Sequence, residues 1–495
     1  MARFVFDWDP GYKKGVLQSD CLDVLREALS IEDKDASMAR YKTERKWTSM
    51  RKYPISQGGR FSLGLFPEIY KKIKTLDIPY TTIITEKFKE NFLIGWNKSD
   101  DFVPVELDMP PRYYQRDCIK QCMKYGNGVV MLGTAGGKTL IMAMLLHNIN
   151  LIKKSQTLII TSPTLMAQAI DDFIGFGIHK YYTMSQWDAN HPYTDTDIVI
   201  ASSNILMSKK QDKRILSTCG LVLVDECHKL RAGNEINDKI IKKIKTPHKF
   251  GFTGSLPEET KDSWNIVKQL GPVIYEKKSE KLREEGYIAN MEAVVLKISY
   301  DPEPIFTGEA SIEKPTELYN QECDFIYTNE FRNNTIGKLV SNFDKNALVL
   351  VDRLEHQQLI IDIIKKYCPN RNVQMVRGDV SMDAREEIRA LMERNNDVIC
   401  VAIGSTFATG ISIDNLHYLL FCLIGKAKLK ILQSIGRGLR LHKNKDKLII
   451  FDLADDLYYG LKHLDMRLEL YEEEKIQYVT KEIKQKDEGR TTDRR

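Results

Sequence analysis

The sequence predicts an α/β protein: two tandem, doubly wound lobes preceded by a small α+β domain. Three observations carry that expectation. After about residue 110, short and nearly all-apolar runs alternate with helical segments, at 129–132, 157–161, 198–201, 221–224 and 249–252. Runs apolar on both faces are what parallel strands need when helices cover both sides of a sheet. The alternation restarts after about residue 330, at 347–351, 373–376, 398–403, 418–423 and 448–453. The first hundred residues instead mix patterns: 16–29 reads as an amphipathic helix, 61–65 as a strand, and 68–75 as a helix after Pro67. Pro104, Pro110 and Pro111 mark 100–111 as a linker. The expected organisation is therefore an N-terminal α+β domain over 1–100, a first lobe over 101–275, an inter-lobe segment over 276–330, a second lobe with a C-terminal helix over 331–485, and a charged tail over 486–495.

Composition narrows the function. The chain is 42% hydrophobic and 28% charged, the balance of a soluble globular protein. The apolar stretch 416–424 contains His417 and Cys422 and is too short to span a bilayer. Early acidic residues argue against a secretory signal. The nine cysteines show no CxxC pair or Cys/His grid, so reduced thiols in a cytoplasmic protein are expected, not disulfides or a zinc site. A net charge of +5 excludes a histone-like polycation; any nucleic acid must be held by local basic surfaces.

Three segments carry the chemistry. The run at 129–132 leads into Gly133, Thr134, Ala135, Gly136, Gly137, Lys138 and Thr139, and then into an apolar helix. Glycines let backbone amides turn toward phosphates, and the helix N-terminus adds its positive end. Lys138 can then reach the β- and γ-phosphates of ATP, and the Thr139 hydroxyl can ligate Mg2+. Leu132 stands where the phosphate-loop consensus has its first glycine, but the cradle is built from the residues that follow. Downstream, four apolar residues end in Asp225 and Glu226. That places two acids at the carboxyl end of a buried strand, where parallel sheets bind ligands. Asp225 suits the magnesium ion and Glu226 the attacking water. Far along the chain, Arg437 and Arg440 are three residues apart and share a helix face, with Gln433 beside them. Guanidiniums from a second lobe can stabilise charge on a phosphoryl group in transfer.

In order, these motifs resemble those of a superfamily-two helicase of the DECH type, with RecA-like lobes, over about residues 110–460. Arg112 and Gln115 resemble the adenine-reading segment. Ser162, Pro163 and Thr164, then Ser202 and Ser203, resemble nucleic-acid contact motifs. Asp225, Glu226, Cys227 and His228 form the DECH sequence itself. Thr253, Gly254 and Ser255, with His228, resemble the elements that couple ATP to nucleic acid. Thr409, Gly410 and Asp414 resemble the second-lobe motif that touches both strand backbone and nucleotide. Gln433, Arg437 and Arg440 resemble the arginine-finger motif. Within the superfamily, 60–67, 404–412 and 449–456 resemble the phage UvsW-type branched-DNA helicases. The resemblance implies ATP and Mg2+ as cofactors, branched or forked DNA as partner, and a place in the host cytoplasm.

The nucleic-acid side is less determined. Around Arg45, Lys46 and Trp47, bases interleave with aromatics. That pattern suits phosphates and stacked bases, or equally a solvated face over buried aromatics. Small hydroxyls in the motifs suit phosphate contacts that position a strand without reading sequence. A DNA helicase that remodels forks and junctions is the leading expectation. An RNA helicase, or a nucleotide-gated annealing clamp, are the alternatives.

Overall fold

The computed structural model describes residues 1–33, 50–133, 135–208, 214–230, 240–257, 259–301, 304, 315–377, 382–404, 413–423, 447–473 and 475–485. It divides into two units: Met1–Leu132 with Gly137–Lys278, and Ser279–Arg495 with Gly133–Gly136.

The N-terminal sheet has β1 (Ala2–Asp9), β2 (Lys14–Ser19), β5 (Arg60–Phe61) and β6 (Tyr80–Ile84), in the order β5-β2-β1-β6. A separate ribbon pairs β3 (Ile31–Glu32) with β4 (Arg51–Lys52). Period-2 alternation in β1 buries Ala2, Phe4 and Phe6 on one face. Phe6 meets the rings of Phe66, Phe61 and Phe88 at 5.0, 5.9 and 6.0 Å. The expected helix over 16–29 is instead strand β2 followed by the helix Leu22–Leu29. Local bonding at 19–21 explains the break. Cys21 N donates to Ser19 Oγ, and Arg3 N donates to Asp20 Oδ1, so these side chains offer the backbone a turn instead of a helix. The strand expected at 61–65 shortens to β5 and a 3-10 turn, Leu63–Leu65.

The first large sheet comprises β7 (Gly128–Leu132), β8 (Thr157–Thr161), β9 (Met184–Trp187), β10 (Ile198–Ser202), β11 (Leu221–Asp225), β12 (Lys249–Thr253) and β13 (Val273–Lys277). Their order is β13-β7-β12-β11-β8-β10-β9, and every adjacent pair is parallel. All carboxyl ends therefore meet one edge. On that edge β7 gives way to the phosphate loop, β8 to Ser162, β10 to Ser203, β11 to Glu226 and β12 to Gly254.

The second sheet holds β14 (Asn290–Ser299), β15 (Ala347–Val351), β16 (Asn372–Val376), β17 (Val398–Ile403), β18 (Tyr418–Phe421), β19 (Lys447–Asp455) and β20 (Gln477–Lys484). Its order, β16-β17-β15-β18-β19-β14-β20, is again parallel throughout. Part of 276–330 thus enters this sheet, since β14 pairs with β19 on one side and β20 on the other. Both sheets match the two doubly wound lobes expected from the sequence.

Two acids in β19 are buried and paired. Asp452 accepts from Arg467 Nε at 2.7 Å and Tyr471 OH at 2.9 Å. Asp455 accepts from Arg332 Nε at 2.7 Å and Tyr300 OH at 2.6 Å. Removing one partner strands a buried charge, which costs about 3–5 kcal/mol. Arg467→Met should therefore lower stability by about that amount in urea unfolding followed by circular dichroism. A loss near zero would mean that Asp452 is rehydrated or protonated at little cost.

Among the described residues no helix is long and apolar enough to cross a membrane. The cysteines stand as free thiols; burial pushes that of Cys400 up to about 12 and that of Cys227 higher still.

Candidate ATP site and nucleic-acid track

The phosphate loop is held by what lies behind it. The helix Lys138–Ile152 buries Leu140 through Ile149, which fixes its N-terminus against the sheet. Gly136 N donates to Gly133 O at 3.0 Å, closing a tight turn. Ala135 and Gly137 both take left-handed backbone, with φ of 60° and 83°. Gly137 is the N-cap and no side chain caps the helix. Its first amides are thus presented to the loop, the arrangement that binds anions. Lys138 Nζ donates to Leu132 O at 3.4 Å, so the ammonium curls over the same turn. Thr139 follows on the first turn, half-buried. The loop geometry fits a bound triphosphate.

Gln115 braces the loop. It is buried at the start of the helix Tyr113–Tyr125. Its Oε1 accepts from Arg112 N at 2.8 Å, and a Cβ on Gly137 would overlap its Nε2. Gly137 is therefore required twice, by its φ and by Gln115. Gly137→Ala adds about 1–3 kcal/mol of backbone strain before any collision, enough to weaken nucleotide binding about fivefold or more. A titration with a fluorescent ATP analogue reads this; unchanged affinity would mean that the loop rearranges freely. Arg112 Nη1 donates to Tyr114 OH at 3.0 Å. Beside it, Lys277 Nζ donates to the exposed Tyr113 OH at 2.6 Å and lies 4.8 Å from that ring's centroid. Sequence reasoning did not select Tyr113 or Lys277, because nothing in the chain announces that β13 returns beside β7.

At the end of β11, Asp225 is oriented through both carboxylate oxygens. Thr161 Oγ1 donates to Oδ2 at 3.1 Å and Glu226 N donates to Oδ1 at 3.0 Å. Thr161 was also missed, although its place as the last residue of a buried strand was the available signal. Glu226 has a φ of 50°, uncommon for a residue with a side chain. His228 Nδ1 stands 3.2 Å from Glu226 Oε2 and 3.0 Å from Thr253 Oγ1. The Thr253 hydroxyl donates its only hydrogen to Ser255 O at 2.8 Å. Towards His228 it can only accept, so Nδ1 carries a proton and donates to Thr253 Oγ1, with the Glu226 carboxylate close by. The imidazole thus stands between the second acid of the DECH sequence and the Thr253-Gly254-Ser255 turn. Cys227 is buried beneath, where a Cβ on Gly251 would stand 2.7 Å from its Sγ.

The strand-facing motifs divide. Ser162 and Pro163 lie on the sheet edge as a 3-10 turn begins, and Thr164 is within that turn. Gly254 and Ser255 are exposed, whereas Thr253 is buried. Ser202 is buried and its Oγ accepts from Ile205 N at 3.3 Å, so it caps the helix Ser203–Met207. Ser203 is the more accessible of the two. In the second unit Asp414 N donates to Glu393 Oε1 at 2.6 Å. Arg45, Lys46, Trp47, Thr134, Thr409, Gly410, Gln433, Arg437 and Arg440 lie outside the described residues.

The chain is similar to known proteins. The family described as "Type III restriction enzyme, res subunit" matches residues 108–258. The ATP-dependent DNA helicase uvsW of Enterobacteria phage T4 is 29% identical over 398 residues, 75% of this chain and 77% of that protein. Among solved structures, the DNA-bound Type ISP restriction-modification enzyme LlaBIII aligns with a TM-score of 0.53 at 13% identity, over 83% of this chain and 34% of that one. RNA-bound Dbp5 of S. cerevisiae aligns with a TM-score of 0.52 at 11% identity, over 75% and 90%. With two parallel seven-stranded lobes, a phosphate-loop sequence and a DECH acid pair, the chain resembles the superfamily-two helicases.

Proposed function

We propose that this protein is an ATP-dependent DNA helicase that unwinds or remodels branched DNA, as in fork regression and Holliday-junction migration, during replication, recombination and repair. The observation that carries the reading is His228, bonded to Thr253 Oγ1 and 3.2 Å from Glu226 Oε2, since a motor needs its hydrolytic group set beside the strand-facing edge. Similarity to the phage T4 DNA helicase supports DNA over RNA.

In this reading Gly133, Thr134, Ala135, Gly136 and Gly137 cradle the phosphates, and Lys138 neutralises them. Arg112 and Gln115 serve the adenine side. Thr139 and Asp225 would hold magnesium, which supplies charge neutralisation on the phosphates when bound. Glu226 takes a proton from the attacking water, with the His228 imidazole 3.2 Å from its carboxylate. Gln433, Arg437 and Arg440, with Gly410 and Asp414, complete the nucleotide contacts. Ser162, Pro163, Thr164, Ser202, Ser203, Thr409 and Gly410 position a strand through its backbone, and Arg45, Lys46 and Trp47 engage duplex at the branch. The protein would work in the host cytoplasm.

ATP hydrolysis measured with forked DNA, a four-way junction, single-stranded DNA and RNA tests this. Greatest stimulation by branched DNA, with strand separation, is expected. Preference for RNA would replace the reading with an RNA helicase, and annealing without ATP turnover would replace it with a nucleotide-gated clamp.

A further inference from the structure

The N-terminal domain and the first large sheet share one apolar core, in which Phe61, Leu65 and Ile69 cluster with Trp264, Val267 and Leu270. The contact runs along the helix Thr260–Leu270. At its C-terminal end the backbones of the two parts touch. Gly64 is buried, and a Cβ there would overlap Val267 O and stand 2.7 Å from that carbonyl carbon and 3.0 Å from the one of Gly271. At its N-terminal end Lys261 Nζ lies 3.8 Å from Asp33 Oδ1, whose Oδ2 is 2.6 Å from Lys52 Nζ. The domain therefore grips this helix at both ends. Lysines from both parts gather along the contact: burial, and then the nearby Lys52 and Lys14, hold the Lys268 ammonium below the usual lysine range.

The gripped helix occupies a particular place in the chain. It follows Ser255, and beyond it Pro272 O accepts from Val129 N at 2.8 Å, just before β13 pairs with β7 as far as Leu132. It thus spans the distance from the coupling turn to the strand that carries the phosphate loop.

Building on the helicase reading above, we propose that Gly64 is a positioning residue for substrate selection: its backbone contact with Val267 and Gly271 makes the N-terminal domain a fixed arm of the first lobe. A docked arm presents branched duplex at a set distance from the strand-facing edge, whereas an undocked arm leaves only a motor on single strands.

The test compares the full-length wild type with Gly64→Leu, which forces the backbones apart, and Lys261→Ala, which loosens the other end without a collision. Amide hydrogen exchange over 260–270 reports whether the contact has opened. Hydrolysis stimulated by single-stranded DNA should stay within about threefold in both variants, while unwinding of a forked duplex falls on the order of 10²-fold in Gly64→Leu and less in Lys261→Ala. Unchanged fork unwinding despite faster exchange overturns the inference. So does an equal fall of hydrolysis and unwinding in both variants, which would make the contact a mere support of the lobe. Wild type that hydrolyses ATP without unwinding forks would instead overturn the helicase reading beneath it.

Discussion

Glu226→Gln is expected to reduce ATP turnover by roughly 10²–10⁴-fold, the range that a positioned general base contributes. The substitution preserves shape. The bond from His228 Nδ1 to Thr253 is untouched, and only the capacity to take up a proton is lost. The loop from Gly133 to Thr139 is untouched, so affinity for ATP should change little. Steady-state hydrolysis with saturating single-stranded DNA, set beside equilibrium binding of an ATP analogue, separates the two effects. A fall of less than about tenfold would assign the proton to another group. A matching loss of affinity would make Glu226 part of the binding site.

Arg440→Ala should cost on the order of 10³-fold in turnover, as arginine fingers do in phosphoryl transfer. This expectation rests on the motif, since the segment lies outside the described residues. A guanidinium that meets a phosphoryl group through two parallel N–H bonds acts on charge that develops during transfer, so nucleotide affinity should be largely kept. Lysine lacks that planar fork, and Arg440→Lys should recover little activity. Parallel loss of affinity and turnover would identify Arg440 as structural. Recovery with lysine would reduce its role to simple charge.

The parts of the fold legible in the sequence were those under the strongest physical constraint. The strands at 157–161, 347–351 and 398–403 were read to the residue, because strands buried on both faces admit almost only apolar side chains. Strands β9, β13 and β20 were not read. They are edge strands, and β20 in particular exposes most of its residues, so the continuous apolar run is missing. Strand β14 mixes Glu292 and Lys297 into its run and lies in a stretch that reads as a connector. In the site, the phosphate loop and the acid pair were legible because each couples a residue type to a strand end. The support around them was not: Thr161, Lys277 and the bracing role of Gln115 depend on which strands become neighbours. The capping role of Ser202 was illegible for a related reason. A serine at a strand end suits a phosphate contact and a helix cap equally well, and here its hydroxyl caps a helix.

The left-handed backbone of Glu226 has a consequence for anyone seeking a hardier form of this protein. A side chain there costs roughly 1–2 kcal/mol that glycine would not incur. Heat resistance and turnover therefore pull against each other at this one position. A screen that rewards survival at high temperature without asking for ATP hydrolysis would drift toward glycine at 226 and return a sturdier, inert molecule.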